Sequence, residues 1–204
     1  MIDFYTWRTP NGRKVSIALE EMGLEYKVFP IDIGANQQFE ADFIKINPNS
    51  KIPAIFDREA VNGGFSVFES GAILLYLAEK TGQFLAKSGK KRYDALQWIF
   101  FQASGVGPMM GQYNHFQNVA PEKLPYAIAR FQKEAERLFQ VLDTHFAKVE
   151  FLAEDYSIAD MMLYPWLVNF KKYTEKAETM PNILRWLNTL SLRPKLQKGM
   201  SIPA

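Results

Sequence analysis

The chain has 204 residues, of which 48% are hydrophobic, and its formal net charge at pH 7 is +2. This length suits one large domain or two small ones, and the scattered basic residues give no footprint for nucleic acid. The longest apolar run is far shorter than a membrane span and the amino terminus does not resemble a secretion signal, so we expect a soluble cytoplasmic protein with neither nucleic acid nor membrane as a partner.

The first third of the chain alternates strand and helix signals. Residues 2–7 have strand composition. Thr9 followed by Pro10 is typical of a helix that begins with a capping residue and has proline at its first position. Apolar residues then recur at helical spacing, and Gly23 is placed to end this helix. A second strand at residues 26–33 completes a β-α-β unit, for which we expect a right-handed crossover.

Further short elements follow this unit. Residues 37–46 predict a short helix, which Asn47-Pro48 ends because the residue before proline avoids the helical conformation. Two strands at 54–57 and 66–68 are close enough to form a hairpin. Residues 70–80 then predict an apolar helix.

From residue 88 onward strand signals disappear, and the chain is predicted to be helical. A bend or break is expected at the Gly-Val-Gly-Pro run of residues 105–108, and Pro121 is expected to open the next long helix. Ser157 followed by Asp160 predicts a capping box at the start of a later helix. The expected division is a domain at residues 1–82, a linker at 83–89 and an all-helical domain at 90–204.

Two neighbouring stretches are suited to hold a peptide-like ligand. Pro53 fits the entry of a strand, and the main chain of Ile52 then stays available to an extended peptide that docks as an added strand. Ser70 is predicted to cap the next helix, whose free N–H groups can bind a carboxylate while Glu69 holds an ammonium. Each feature also has a purely structural interpretation, as a strand entry and as a helix cap.

The chain contains no cysteine. It therefore has no protein thiol, and any thiol chemistry must use sulfur carried by a ligand. A helix start and hydrogen-bond donors stabilise a thiolate, whose parent thiol has an ordinary pKa of ~8.5. The Thr9 hydroxyl and the Asn11 amide are candidate donors, although the same atoms can simply cap the helix. The histidines, His115 and His145, are too few and too distant to indicate a metal site.

Together these motifs resemble the glutathione transferases, and in particular the bacterial Nu class. The segments that carry the resemblance are Thr9-Pro10-Asn11-Gly12, residues 47–55, residues 68–82, residues 105–112 and residues 156–160. The resemblance implies the glutathione transferase fold, an α/β thioredoxin-like amino-terminal domain followed by an all-α carboxyl-terminal domain. It also implies a glutathione-dependent disulfide-bond oxidoreductase, with reduced or oxidised glutathione as bound co-substrate.

The resemblance further implies a role for individual residues and a cis bond before Pro53. The implied contacts to glutathione are Thr9 and Asn11 at the sulfur, Ile52 and Pro53 at the cysteinyl unit, Glu69 and Ser70 at the γ-glutamyl end, Lys51 and Gln38 at the glycyl end, and Arg130 across a homodimer interface. Other classes use an early tyrosine as a donor to the thiolate. Tyr5 lies near that place, but as a strand residue it can instead face the core.

Two other functions stay open on the sequence. One is conjugation of glutathione to a small electrophile in place of reduction of a small disulfide. This activity needs an apolar second pocket, for which Met109, Met110 and Tyr113 are candidates, although these residues can equally fill the core. The other is a glutathione-transferase-like module that serves binding or regulation without catalysis.

Overall fold

The chain forms two compact units. The computed structural model describes residues 1–61 and 63–203 in full and the backbone alone at residue 62. Residue 204, the last of the expected helical domain, lies outside the described residues. The first unit comprises residues 1–87 and the segment from residue 191 onward, and the second comprises residues 88–190. Among the described residues, no helix combines the length and the apolar character needed to cross a bilayer.

The first unit is built on a four-stranded mixed sheet. Its strands are β1 (Ile2–Thr6), β2 (Tyr26–Pro30), β3 (Ala54–Asp57) and β4 (Phe65–Phe68). In the sheet order β2-β1-β3-β4, β1 and β2 are parallel, whereas β3 is antiparallel to both of its neighbours. The helices between these strands and after β4 are α1 (Pro10–Met22), α2 (Ala41–Ile46) and α3 (Ser70–Thr81). This arrangement confirms the predicted thioredoxin-like fold and the predicted hairpin of β3 and β4.

Local signals fix both ends of α1. The Thr9 hydroxyl accepts a hydrogen bond from the Gly12 N–H at 3.2 Å, and Pro10 occupies the first helical position. Gly23 ends the helix in the left-handed conformation, with φ of 68°. A Cβ atom at Gly12 would lie only 2.3 Å from the Thr6 hydroxyl oxygen, so a residue without a side chain is needed for α1 to begin this close to β1. The predicted caps at Thr9 and Gly23 are therefore confirmed.

The second unit is helical in the part that the structure describes, apart from two isolated β-bridges within residues 151–155. Its helices are α4 (Lys90–Phe101), α5 (Gly107–Asn114), α6 (Pro125–Phe146), α7 (Ile158–Leu167) and α8 (Pro181–Ser191). A π-helical turn at Gln102–Val106 joins α4 to α5. The bend or break expected at residues 105–108 is instead a π-turn, which interrupts the regular hydrogen-bond ladder while the backbone stays helical on both sides.

Two predicted helix boundaries are wrong. Residues 37–46 do not form one helix, since a 3-10 turn at Gln37–Phe39 precedes α2 and Glu40 between them is extended. Pro121 does not open the long helix of the second unit, because α6 begins at Pro125. Pro121 and Pro125 both suit the first position of a helix, so the residue type alone does not show which of them begins α6.

Asp160 is the centre of a buried polar network in the second unit. Its Oδ2 accepts from the Ser157 N–H at 3.0 Å, which completes the predicted capping box. Its Oδ1 accepts from the Leu152 N–H at 3.1 Å and from the Trp186 indole N–H at 2.9 Å. Burial raises the pKa of Asp160 to about 6, although these hydrogen bonds act in the opposite direction. One carboxylate therefore joins the start of α7 to α8 and to the preceding loop.

The last helix, α9 (Pro194–Met200), packs on α1 of the first unit. A Cβ atom at Gly199 would lie 2.5 Å from the Ile17 Cα, so the two backbones are in close contact. The Ser16 hydroxyl donates to the Gly199 carbonyl at 2.7 Å. This segment thus belongs with the sheet, whereas the sequence-based division places all of residues 90–204 in the helical domain.

We expect Ser157→Ala to lower the free energy of unfolding by ~0.5–2 kcal/mol, because the hydroxyl that caps α7 is lost. That hydroxyl accepts from the Ala159 N–H at 3.2 Å in a buried setting. Urea denaturation followed by circular dichroism measures the change. The control is Ser104→Ala, which removes an exposed hydroxyl bonded to the Phe100 carbonyl. Equal losses in the two variants would contradict the capping role.

Candidate active site

One end of the sheet collects most of the predicted site residues. Ala54, the first residue of β3, pairs with Tyr5 on one side and with Phe68 on the other. Because β3 is antiparallel to both neighbours, the loop before β3 and the loops after β1 and β4 leave the sheet at the same end. The loop after β2 also starts there, since β2 is parallel to β1. These four loops and the helix starts that follow them carry Thr9, Asn11, Gln38, Lys51, Ile52, Pro53, Glu69 and Ser70.

The loop before β3 presents the main chain of Ile52. The Ile52–Pro53 bond is cis, as the family resemblance implies. Asn47 holds the loop: its side-chain amide donates to the Lys51 carbonyl at 2.6 Å, and its Oδ1 accepts from the Asn49 N–H at 2.9 Å. Within the described residues, no protein group bonds to the Ile52 N–H or carbonyl. The peptide edge that the sequence predicts is therefore available to a ligand.

Asn47 itself is a residue that the sequence analysis does not place at the site. It is 1% exposed, and both polar groups of its side chain are used to shape the loop. Its signal in the sequence is the turn-forming run Asn47-Pro48-Asn49-Ser50, whose side chains commonly bond to their own backbone. Asn47 is therefore a supporting residue for the Ile52 main chain.

The start of α3 differs from the prediction. Ser70 is expected to be the cap, but Glu69 occupies that position and its side chain makes no capping hydrogen bond, while Ser70 is the first helical residue. Glu69 has φ of 68° and ψ of 117°. A residue with a side chain held in such a region costs ~1–3 kcal/mol, and such residues cluster at ligand sites. The Glu69 side chain does not cap α3. A helix start without a side-chain cap can bind an anion, so the start of α3 is suited to an anionic ligand.

Lys14 lies against this helix start and is missing from the sequence-based set. Its side chain is 2% exposed, and its Nζ donates to the Ser70 Oγ at 3.4 Å. Burial lowers the pKa of Lys14 to about 7, and the negative charge of Glu69 acts in the opposite direction. The signal in the sequence is spacing alone, since Lys14 follows Asn11 by three residues and so shares its helix face.

The start of α1 supplies the candidate sulfur donors. The Thr9 oxygen accepts from the Gly12 N–H, which leaves the hydroxyl hydrogen of Thr9 to donate elsewhere. Asn11 is the second residue of α1 and is half-buried. The free N–H groups and the positive end of the helix lie at the same place. This arrangement can stabilise a thiolate that a ligand brings.

Tyr5 is engaged in an aromatic cluster. Its ring stacks on Phe29 with a centroid distance of 5.0 Å and lies 6.0 Å from Phe43 of α2. Burial raises the pKa of the Tyr5 hydroxyl, and the charge of Asp3 adds to this effect. The ring therefore packs between the sheet and α2. This position matches the expectation that Tyr5 can face the core instead of donating to a thiolate.

The remaining predicted residues differ in their surroundings. The Oε1 atom of Gln38 is buried and, within the described residues, has no hydrogen-bond partner in the protein. The neighbouring Gln37 side chain accepts from the Asp32 N–H at 2.8 Å and so holds the turn that carries Gln38. Lys51 is exposed. Arg130 lies on α6, in the second unit.

The chain matches two family models, which are described as the amino-terminal and carboxyl-terminal domains of glutathione S-transferase and cover residues 2–79 and 125–189. It is 45% identical to the disulfide-bond oxidoreductase YfcG of Escherichia coli K12, over 95% of this chain and 92% of that protein.

Solved structures agree with this match. A Pseudomonas putida glutathione transferase with one glutathione disulfide bound per subunit has a TM-score of 0.94 and 39% identity, over 100% of this chain and 92% of that chain. A Burkholderia graminis glutathione transferase with two glutathione molecules per subunit has a TM-score of 0.92 and 39% identity, over 99% of this chain and 88% of that chain. The chain belongs to the glutathione transferase family.

Proposed function

We propose that the protein is a glutathione-dependent disulfide-bond oxidoreductase, which exchanges thiol and disulfide groups without a cysteine of its own. The observation that carries this proposal is the geometry at the end of the sheet, where the start of α1 with Thr9 and Asn11 adjoins the peptide edge at Ile52. The relatives support it, because YfcG is named a disulfide-bond oxidoreductase and the Pseudomonas putida structure holds glutathione disulfide.

The residues present fit the parts of glutathione. The Ile52 main chain has a free donor and a free acceptor, as pairing with the cysteinyl unit requires. Ser70 and the first turn of α3 suit the γ-glutamyl carboxylate, and the exposed carboxylate of Glu69 suits the amine. Lys51 and the amide of Gln38 are the groups we assign to the glycyl end.

The reaction is thiol–disulfide exchange. A glutathione thiolate attacks one sulfur of a small disulfide, a new S–S bond forms as the old one breaks, and the leaving thiolate takes a proton from solvent. A second glutathione repeats the attack, so two glutathiones are oxidised to glutathione disulfide while the substrate is reduced to two thiols. The protein contributes the hydroxyl of Thr9, the amide of Asn11 and the positive end of α1, which hold the sulfur as thiolate and in line.

The burial of Met110 and Tyr113 in the second unit favours disulfide exchange over conjugation of glutathione to an electrophile. Of the three residues considered for an apolar substrate pocket, Met110 is fully buried and Tyr113 is nearly so. The Tyr113 ring packs against Tyr173 with a centroid distance of 5.5 Å. Both residues therefore fill the core, and Met109 is left as the pocket candidate.

We also propose that the protein is a cytoplasmic homodimer. Reduced glutathione is maintained in the cytosol, where this reaction would draw on it. Tyr126 of α6 is exposed, and it lies beside Arg130 in a surface groove of about 540 Å³ that Met109 and Arg137 also line. Aromatic residues, methionine and arginine are enriched at protein interfaces. In such a dimer, Arg130 would reach the glutathione bound to the partner subunit, as the family resemblance implies.

We expect Asn11→Ala to lower kcat/KM for the reduction of hydroxyethyl disulfide by glutathione about tenfold, since one lost donor to a thiolate corresponds to ~1.4 kcal/mol. Thr9→Val should have a similar effect, whereas Thr9→Ser keeps both hydroxyl and cap and should retain most activity. The assay follows oxidised glutathione with a coupled reductase. If the wild-type protein reacts no faster than the uncatalysed solution, the proposed function is wrong.

At Glu69 we expect stability and binding to change in opposite directions. Glu69→Gly should raise the free energy of unfolding by about 1 kcal/mol, because relief of backbone strain exceeds the entropy cost of glycine. It should also weaken glutathione binding, because the partner of the ligand amine is lost. Glu69→Gln keeps the strained backbone, so it should weaken binding without the gain in stability. Chemical denaturation and titration calorimetry measure the two effects, and equal stability of the two variants would argue against strain.

The dimer is tested by sedimentation velocity. We expect the wild-type protein to sediment at twice the mass of the chain and Tyr126→Asp to sediment as a monomer, because a buried unpaired charge opposes association. Leu192→Asp is the control, since it places the same charge at an exposed apolar residue of the first unit. Arg130→Ala should preserve the dimer and weaken glutathione binding. A wild-type monomer would contradict the proposed assembly.

A further inference from the structure

Asn11 and Gly12 form a chemically reactive pair at the start of α1. An asparagine that precedes a glycine can react with its own main chain, because glycine has no side chain to keep its nitrogen away from the asparagine amide. Gly12 is not readily replaced, since a Cβ atom there would lie 2.3 Å from the Thr6 hydroxyl oxygen and 2.7 Å from the Trp7 carbonyl oxygen. The fold therefore requires the glycine that makes Asn11 reactive.

The reaction is a loss of ammonia from the Asn11 side chain. Hydroxide removes the proton of the Gly12 nitrogen, which then attacks the Asn11 Cγ atom. A new C–N bond forms, and the bond to the side-chain nitrogen breaks as ammonia leaves with a proton from water. A second water opens the cyclic imide to aspartate or isoaspartate. The positive end of a helix favours a negatively charged amide nitrogen as it favours a thiolate, so the start of α1 promotes this side reaction.

The structure restrains this reaction in two ways. The Gly12 N–H donates to the Thr9 hydroxyl oxygen at 3.2 Å, so the helix cap holds the proton that must be removed. Asn11 and Gly12 also lie within α1, and the chain between them has to leave the helical conformation before the five-membered ring can close. Both restraints are lost when the first turn of α1 opens, and helix ends open more readily than the core of a fold.

We propose that Asn11 is a site of spontaneous deamidation, that the cap hydroxyl of Thr9 restrains this reaction, and that deamidation inactivates the protein. The last part rests on the proposed function, in which the Asn11 amide donates to a thiolate. An ionised carboxylate has no hydrogen to donate, and its negative charge opposes a thiolate beside it. Thr9 then has a second role, because it preserves the residue with which it acts.

The first experiment tests whether Asn11 is reactive. Deamidation replaces NH2 by OH, and the change in peptide mass is followed by mass spectrometry at mildly alkaline pH. Trypsin releases residues 9–13 as one peptide, whose only side-chain amide is Asn11. In the urea-unfolded chain we expect this peptide to react, as the second Asn-Gly pair at residues 62–63 should in the same sample. Reaction at residues 62–63 without reaction at Asn11 would overturn the proposal.

Folded and unfolded wild-type protein are then compared, which needs no variant. The folded chain should deamidate at Asn11 at least about tenfold more slowly, because the reaction waits for the start of α1 to open. Equal rates in the folded and the unfolded chain would mean that the structure gives no restraint, and the part of the proposal that concerns Thr9 would then be wrong.

The role of Thr9 is tested in the folded protein. Thr9→Val should deamidate at Asn11 about fivefold faster than wild type, the factor that corresponds to loss of a typical helix cap. Thr9→Ser keeps the hydroxyl and should react at the wild-type rate. The matched control is Ser157→Ala, which removes the cap hydroxyl of α7 in the second unit and should leave the rate at Asn11 unchanged. Equal rates in Thr9→Val and wild type, or equal acceleration by Ser157→Ala, would contradict the restraint.

Activity tests the last part of the proposal. Asn11→Asp should reduce hydroxyethyl disulfide more slowly than Asn11→Ala, because it adds a negative charge beside the thiolate. An acidic residue in the first turn stabilises a helix, so loss of the fold does not explain this result. Activity of Asn11→Asp near that of wild type would mean that deamidation does not inactivate the protein. If wild type reduces no disulfide, the proposed function fails, while the mass measurements still decide whether Thr9 restrains deamidation of Asn11.

Discussion

The pairing of β3 with both β1 and β4 is the constraint on which the candidate site depends. Ala54 is held by hydrogen-bonded neighbours on both sides, so the residue before it, Pro53, is fixed at the same end of the sheet as the ends of β1 and β4. Thr9, Ile52 and Ser70 are far apart in the sequence and come together only through this register. A shift of one residue would turn every side chain of β3 to the opposite face and bury the wrong set.

Several features at this end of the sheet are unfavourable by themselves. Glu69 has a strained backbone, Lys14 is buried with a lowered pKa, and Gln38 has a buried oxygen that no described protein group satisfies. Residues with left-handed backbones also occur elsewhere, Phe84 and Glu154 among them, but the three features named above lie together at one end of the sheet. Natural sequences tend to break local rules at functional sites and to compensate elsewhere. The grouping of these three features therefore points to the same place as the sheet register does.

The sequence predicts the structural features that depend on interactions between residues close together in the chain. The caps at Thr9 and Gly23, the capping box at Ser157 and the hairpin of β3 and β4 each depend on residues within a few positions of one another, and all are confirmed. The assignment of the cap at Ser70 is wrong because serine is a good capping residue, while the unusual backbone of Glu69 leaves no trace in composition.

What the sequence does not predict depends on long-range contacts. Lys14 and Ser70 are 56 positions apart, and Ser16 and Gly199 are 183 apart. Helical periodicity places Lys14 on a face of α1, but only the packed structure shows which helix start that face meets. The same limit explains why α9 is expected with the helical domain, since its sequence has no feature that directs it to α1. The family resemblance assigns individual residues to the parts of glutathione, but Lys14 is not among these residues.

The charges around Ser70 bear on which peptides the proposed site accepts. In an ordinary peptide, the α-carboxyl group of the amino-terminal residue forms the next peptide bond. A γ-glutamyl residue is linked through its side chain, so both its α-amine and its α-carboxylate stay free. Glu69 and Lys14 present one negative and one positive charge at the start of α3, which matches such a zwitterion. An ordinary amino-terminal residue can bring its amine to Glu69 but has no free α-carboxylate to place beside Ser70 and the Lys14 ammonium. Selection for a γ-glutamyl group then follows from the second charge that its free α-carboxylate brings to the start of α3.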